Sequence, residues 1–121
     1  MDASALRALC LAFAGAEETF PFSPGVSVFK VAGKMFALVA LDAEPPLRLS
    51  LKCEPELAEQ LRDAHPAITP GYHLNKRHWN TVCLDASIPD AMLHDLVEDS
   101  YDLVVSALPA RARAELGWTP G

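Results

Sequence analysis

A strictly alternating segment in the middle of the chain constrains the fold most. Residues 47–52 read Leu-Arg-Leu-Ser-Leu-Lys, so apolar and polar side chains change places at every step. A period of two is typical of a β-strand with one face in the core and the other toward solvent. The segment therefore predicts an antiparallel sheet in which the leucines face the core and Arg48, Ser50 and Lys52 lie on the opposite face.

The neighbouring segments extend this sheet. Residues 26–31 and 35–41 are rich in Val, Phe and Leu, and residues 32–33 between them read Ala-Gly, which is typical of a tight hairpin turn. Residues 79–84 alternate in the same way, and the alternation places Trp79 on the face away from the core. We therefore expect a hairpin and two further strands.

Three longer segments repeat apolar residues at helical spacing, and prolines or glycines limit each of them. Two other stretches hold prolines without any periodicity, so we expect irregular structure there. The predicted elements are a helix capped by Asp2 or Ser4 that runs to about Ala14, a helix over 55–64, a helix from about 90 to 108, a short helix over 110–116, and irregular segments at 16–24 and 66–71.

The predicted order of elements is α-βββ-α-β-α. That order, with one apolar stripe on each helix, describes an α+β two-layer sandwich whose helices pack on one face of an antiparallel sheet. The length of 121 residues suits one domain over residues 1–121. Half of the residues are apolar, which favours a folded chain over a disordered one.

Charge excludes one class of function and suggests another. The formal net charge of −6 and the pI of about 5.0 exclude a generally basic nucleic-acid binder, so a site for a polyanion must be a local patch. Residues 85–102 hold six acids and no Lys or Arg, which is typical of a solvated helix face and lacks the ligand spacing of a cation site. Six of the ten bases fall in predicted sheet or turn segments: Lys30, Lys34, Arg48, Lys52, Lys76 and Arg77.

Residues 71–82 carry the most information about function. Their sequence, GYHLNKRHWNTV, combines cations, amides and aromatic rings. Such a mixture offers phosphate contacts, base-edge hydrogen bonds and stacking surfaces. A structural interpretation stands beside this one: Asn75 shapes a turn, Trp79 covers the sheet and Lys76 is simply solvated.

The chain resembles the MmcQ/YjbR family in this stretch. The family pattern, approximately L-N-K-x-H-W-x-T-V, corresponds to Leu-Asn-Lys-Arg-His-Trp-Asn-Thr-Val at residues 74–82. Further similar stretches are Gly-Ala-Glu-Glu at 15–18, Phe-Lys-Val at 29–31 and Pro-Gly-Tyr-His at 70–73, and the resemblance runs from about residue 6 to residue 108. One departure is Asp85-Ala86, where many relatives have Gly after the Asp.

The resemblance implies a CyaY-like, or frataxin-like, α/β sandwich. Relatives are generally described as DNA-binding proteins with a double-wing arrangement of strands, which would place the wings here at residues 28–41 and 72–84. The frataxin-like similarity also suggests iron binding through an acidic first helix. The acids of this chain, however, cluster on the last long helix. We therefore do not carry that function over.

The resulting hypothesis is a DNA-binding domain. Its phosphate contacts would come from the six bases above, and its stacking or base-edge contacts from Asn75, His78 and Trp79. The rival hypothesis is a module that binds a protein or a small ligand around Trp79. A contiguous positive sheet face would favour the first hypothesis, and a closed apolar cavity the second.

The remaining expectations follow from what the sequence contains. The chain has no GxSxG, P-loop, GxGxxG or HExxH motif, so we expect a binding protein rather than an enzyme. Its three cysteines, without a CxxC pair, indicate reduced packing residues in a cytoplasmic protein. We expect no cofactor, no metal, no membrane contact and a monomer, with DNA or a protein as partner.

Overall fold

The computed structural model describes residues 1–120 and has the predicted α+β architecture. Six antiparallel strands form one open sheet in the order β1-β2-β3-β4-β6-β5. The elements are α1 (Ala3–Leu11), β1 (Ala16–Thr19), β2 (Val26–Val31), β3 (Lys34–Ala40), β4 (Arg48–Lys52), α2 (Pro55–Ala64), β5 (Ile68–Pro70), β6 (Trp79–Cys83), α3 (Asp90–Ser106) and α4 (Ala110–Leu116).

Two strands correct the predicted order of elements. The prediction of irregular structure was wrong for β1 and for β5. With these strands and the expected short last helix counted, the order is α-ββββ-α-ββ-α-α rather than α-βββ-α-β-α. The sequence of β1, Ala-Glu-Glu-Thr, shows no apolar alternation, and β5 has three residues and ends at Pro70. Both are edge strands, where a short polar strand or a proline is tolerated because one side of the strand pairs with nothing.

The first helix is shorter than expected, and its cap is Asp2. The Asp2 carboxylate accepts a hydrogen bond of 2.8 Å from the backbone N–H of Ala5, which satisfies one of the free donors at the helix start. The helix ends at Leu11 instead of about Ala14. The Ala32-Gly33 turn adopts positive φ at both residues, as a tight hairpin of this length requires.

The strand register assigns each side chain to one of two faces. All packing of the helices is on the face that carries Leu49 and Leu51, which are buried as predicted. Residues paired across the strands share a face, so the opposite face, called the open face below, carries Val28, Lys30, Met35, Leu38, Arg48, Ser50, Lys52, Trp79, Thr81 and Cys83.

The open face is less solvated than the alternation predicts. Ser50 and Thr81 are buried side by side on it, with their hydroxyl oxygens 2.9 Å apart. The backbone N–H of Tyr72 donates to the Thr81 hydroxyl at 3.0 Å. The chain that follows β5 therefore folds back over this part of the sheet and leaves its two ends more accessible.

Ser100 joins the long helix α3 to the centre of the sheet. Its buried hydroxyl donates to the carbonyl of Phe36 at 2.6 Å and accepts from the backbone N–H of Lys52 at 2.9 Å. Tyr101 packs edge-on against Phe36, with the ring centroids 5.4 Å apart. These contacts fix α3, and the acids that it carries, on the side of the sheet opposite the open face.

Candidate nucleic-acid interface

One end of the open face brings together two of the predicted basic residues and the tryptophan. Lys52 and Trp79 are direct cross-strand partners on β4 and β6. Lys30 pairs with Met35, and the β3–β4 register brings that end of β3 alongside Lys52. Because two strand spacings separate Lys30 from Lys52, their backbones lie about 10 Å apart. All three predicted residues are half-buried.

The loop that precedes β6 continues this end of the sheet. It contains Asn75, Lys76, Arg77 and His78, and it leads directly into Trp79. Asn75, Lys76 and Arg77 are exposed, and His78 is half-buried. We call Lys30, Lys52, Trp79 and residues 75–78 together the basic end of the open face.

The hydrogen bonds of this loop explain much of its unusual composition. The Asn75 carboxamide oxygen accepts from the backbone N–H of Arg77 at 2.9 Å, and the Asn75 carbonyl accepts from the N–H groups of His78 and Trp79. The Lys76 ammonium donates to the Gly71 carbonyl at 3.0 Å. Asn75 thus shapes the turn as the structural interpretation expected, whereas Lys76 is bonded to the backbone rather than simply solvated. Contact of either residue with a ligand stays a prediction.

Residue 71 has to be a glycine because Trp79, at the start of β6, lies too close for a side chain there. Its N–H donates to the Trp79 carbonyl at 2.8 Å, which extends the β5–β6 ladder by one step. A Cβ atom added at Gly71 would lie 2.7 Å from the Trp79 Cβ and 3.0 Å from its carbonyl oxygen. The glycine therefore lets the loop hold Trp79 next to Lys52.

Two of the predicted basic residues lie away from the basic end. Arg48 pairs with Cys83 at the far end of β4, about 13 Å along the strand from Lys52. It lines a separate cleft of about 400 Å³ together with Asp85. Lys34 lies at the hairpin tip opposite Val31, whose side chain is in the core, so Lys34 is on the helix side of the tip.

An acid and an aromatic pair flank this surface, and the sequence pattern indicated only the pair. Glu17 on β1 is the cross-strand partner of Lys30, and it was invisible as such because β1 was predicted to be a loop. Tyr72 is 70% exposed, and its ring centroid lies 4.0 Å from that of His73. The aromatic residues at 71–82 were the signal for this pair, but only the structure shows that Tyr72 is open to solvent.

The bases on the open face are not engaged in ion pairs within the described chain. Over residues 1–120 the ion pairs join Arg7 to Glu18, Arg111 to Glu115, and the terminal amino group to Asp90. None of them uses the six bases singled out from the sequence. Their charges are therefore available to an external anion.

The acids of α3 lie on the other layer of the molecule. Asp95, Glu98, Asp99 and Asp102 are within two turns of one helix. Partial burial raises the pKa of the Asp99 carboxyl above its ordinary value, and the charges of Asp102, Asp95 and Glu98 raise it further. The acids of α3 and the basic end thus lie on opposite sides of the sheet.

The described part of the chain offers no evident metal centre. Within residues 1–120, no three His, Cys, Asp or Glu side chains come together in a way that would hold a metal ion. Across the same residues, no helix combines the length and the apolar character needed to cross a membrane.

Comparison with known proteins establishes the family. The profile of the YjbR family matches residues 11–103, and the chain therefore belongs to the YjbR family. It is 42% identical over 113 residues to the uncharacterized protein YjbR of Escherichia coli K12, which covers 93% of this chain and 95% of that protein. It is 38% identical over 105 residues to the uncharacterized protein YbdF of Escherichia coli O157:H7, over 87% of this chain and 85% of YbdF.

Solved structures agree in fold. The crystal structure of Deinococcus radiodurans protein DR2400, a DUF419 domain, superimposes with a TM-score of 0.90 at 45% identity and covers 96% of this chain and 88% of that one. A crystal structure of a Pseudomonas syringae protein superimposes with a TM-score of 0.74 at 28% identity, over 85% of this chain and 98% of that one. The resemblance found in the sequence is thereby confirmed at the level of the family.

Proposed function

We propose that this domain binds DNA through the basic end of the open face. The observation that carries the proposal is the register, which sets Lys30 and Lys52 on the same helix-free face with Trp79 directly beside Lys52. Neither lysine has an ion-pair partner within residues 1–120. A surface of this kind supplies both charge for phosphates and a ring for a base.

Each group has a distinct part in the proposed contact. Lys30, Lys52 and the exposed Arg77 would contact backbone phosphates, with Arg77 able to make two parallel hydrogen bonds. Trp79 would stack on an unpaired base or pack against a sugar, a contact worth about 1–3 kcal/mol per base. Asn75 and Lys76 hold the loop in shape, so their main effect on binding would be through its conformation.

The acids of α3 and the basic end would together orient the approach. The acids of α3 repel phosphate, whereas the basic end attracts it, so productive encounters would occur with the open face toward the nucleic acid. This arrangement reconciles DNA binding with a net charge of −6. Glu17 beside Lys30 would limit the affinity of the site.

A salt titration tests the proposal. Labelled duplex and single-stranded DNA of equal length are titrated with the protein at several NaCl concentrations. If about four phosphates are contacted, the slope of log K against log salt should be about −3 to −4. Stronger binding of the single strand would assign stacking to Trp79, and Trp79→Ala should then remove that preference.

A matched pair of variants separates a site from general charge. Lys30→Gln combined with Lys52→Gln removes two positive charges from the open face, and Arg111→Glu changes the net charge by the same amount on α4, where Arg111 is exposed. The proposal requires a loss of affinity of about tenfold or more in the first variant only. Equal losses in both variants, or no binding by the parent protein at low salt, would contradict it.

A further inference from the structure

An acidic and apolar cleft lies on the helix side of the molecule, away from the open face. It is formed by α2, α3 and the C-terminal segment and has a volume of about 390 Å³, within the usual range for small-molecule sites. Its walls include both carboxylates and apolar side chains. The residues that matter here are Glu54, Leu57, Asp99, Asp102, Leu103 and Trp118.

A much smaller cavity adjoins this cleft and holds an unsatisfied acceptor. The two share Cys53 and Asp99 in their walls, and the smaller one, of about 10 Å³, has room for one group the size of a water molecule. Asn80 lines it and is 3% exposed. Its amide nitrogen donates to the Ala58 carbonyl at 3.4 Å, whereas its carboxamide oxygen has no hydrogen-bond partner within residues 1–120.

We propose that the cavity and the cleft together bind a short linear primary amine. One ammonium group would enter the small cavity between the Asn80 oxygen and the Asp99 carboxylate, and the aliphatic chain would lie along Leu57 and Leu103. An ammonium group is similar in size to a water molecule and carries three donors and a positive charge. It therefore satisfies the buried acceptor and the carboxylate at the same time.

The surrounding charges favour a cation over a neutral donor. Glu54 and Asp102 line the wider cleft, and the Trp118 indole N–H donates to Asp102 at 2.8 Å, which fixes the ring beside the carboxylate. An aromatic face next to carboxylates is a favourable environment for a second ammonium group. Lys52 is also in the wall of the small cavity, but its pairing with Trp79 directs its side chain to the open face.

The ionisation of the neighbouring groups is consistent with this site. Partial burial and then Asp102, Asp95 and Glu98 raise the pKa of Asp99, and burial and then Asp99 and Glu54 raise the pKa of Cys53. Burial is the largest cause of both pKa shifts, and the neighbouring carboxylates add to it. A hydrogen bond with the Glu54 backbone and the charge of Arg62 lower the pKa of Cys53 but do not cancel its rise.

The test uses 1,4-diaminobutane as the probe. The 121-residue chain, labelled with nitrogen-15, is titrated at constant ionic strength, with butan-1-ol and tetramethylammonium as comparison ligands. We expect saturable shifts at the Asn80 side-chain amide, the backbone of Asp99 and the Trp118 indole. Tetramethylammonium, which has the charge but no N–H donors, should bind at least about tenfold more weakly.

Two isosteric variants locate the binding. Asp99→Asn should weaken binding of the diamine by about tenfold or more, because it removes the charged acceptor at the shared wall. Asp90→Asn makes the same charge change at the exposed start of α3 and should leave the affinity unchanged. Asn80→Leu removes the buried acceptor and should also weaken binding, provided that its amide spectrum remains that of the folded protein.

Several outcomes would overturn the proposal. It fails if tetramethylammonium binds as well as the diamine, if the two Asp variants lose affinity equally, or if no saturable shift occurs, in which case a water molecule satisfies Asn80. These measurements contain no DNA and concern the opposite side of the sheet. Their failure therefore leaves the proposed function of the open face unaffected, and the reverse also holds.

Discussion

Glu18 illustrates how single side chains hold the edge of the sheet in place. Burial by itself would raise the pKa of this carboxyl, but hydrogen bonds from Ser27 at 2.7 Å and from Arg7 at 2.6 Å, with the charge of Arg7, lower it below the ordinary value of 4.5. The same negative charge adds to the effect of burial on Cys10, whose pKa rises to about 12. Glu18 thus connects α1 to β1 and β2 in its charged form.

Replacing Glu18 by Gln should lower the free energy of unfolding by about 1–2 kcal/mol at neutral pH, because charge-assisted hydrogen bonds become neutral ones. A carboxyl with a lowered pKa stabilises the fold above its unfolded pKa, and this contribution disappears as the pH falls through the folded pKa. The difference between the two proteins should therefore shrink below about pH 4.5. Urea unfolding at several pH values measures it.

Glu44→Gln, a change at an exposed loop position, is the control and should have almost no effect at any pH. A difference between Glu18→Gln and the parent that stays constant from pH 7 to well below the carboxyl range would refute the electrostatic explanation.

In the candidate site, the sequence specifies that a turn forms but not the role of each side chain in it. Asn and Lys next to a glycine indicate a turn, and a turn is present at residues 71–78. The sequence does not specify that the Lys76 ammonium closes that turn on the Gly71 carbonyl, because the alternative of a solvated lysine costs little. The free-energy difference between the two roles is small, and only the positions of the neighbouring backbone atoms decide it.

At the scale of elements, one polar group connects α3 to the sheet within residues 1–120. The Ser100 hydroxyl bridges the Phe36 carbonyl on β3 and the Lys52 N–H on β4, and it is fully buried. Both backbone groups would lose this partner together if the hydroxyl were removed. A buried backbone group without a partner costs free energy comparable to a lost hydrogen bond.

Ser100→Ala should lower the free energy of unfolding by about 1–3 kcal/mol. Ser106→Ala, on the same helix, removes an exposed hydroxyl that bonds only to the Leu103 carbonyl, and it should change the stability by no more than about 0.5 kcal/mol. Thermal and urea unfolding of the two variants provide the comparison. Equal effects would mean that Ser100 does not join α3 to the sheet.

The elements that could be predicted are those whose burial leaves a period in the sequence. The strand β4, the hairpin of β2 and β3, and the helices α2 and α3 were all correctly located because one face of each packs in the core. The strands β1 and β5 were missed because backbone pairing to one neighbour defines them, and such pairing selects no particular side chains. The same omission concealed the position of Glu17 beside Lys30.

At the scale of the whole molecule, the sheet lies between the acids of α3 and the basic end. The described α3 carries acids at positions 95, 98, 99 and 102, whereas the basic end lies on the other face. Carboxylates three or four residues apart on one helix repel one another by about 0.2–0.5 kcal/mol per pair. Added salt should therefore raise the stability of the fold and lower its affinity for the proposed DNA ligand.

Raising NaCl from about 20 mM to about 500 mM should increase the melting temperature by about 3 °C, because screening reduces the repulsion on α3. The increase should be smaller in Asp99→Asn, which removes a central member of the acid group and should itself be more stable than the parent at neutral pH. The raised pKa of Asp99 means that its ionisation destabilises the fold, so this advantage should vanish as the pH falls below about 3.8.

Calorimetry of both proteins at the two salt concentrations provides the measurement. An identical salt response in the parent and in Asp99→Asn would show that repulsion on α3 does not govern it.

The edges of the sheet have a consequence for self-association. One edge strand, β1, has four residues with two adjacent glutamates, and the other, β5, has three residues and ends at a proline. Short, charged or proline-terminated edges are poor templates for the addition of another chain. Concentrated solutions of the native protein should therefore resist fibril growth, even though the centre of the sheet is made of the long apolar strands that favour it.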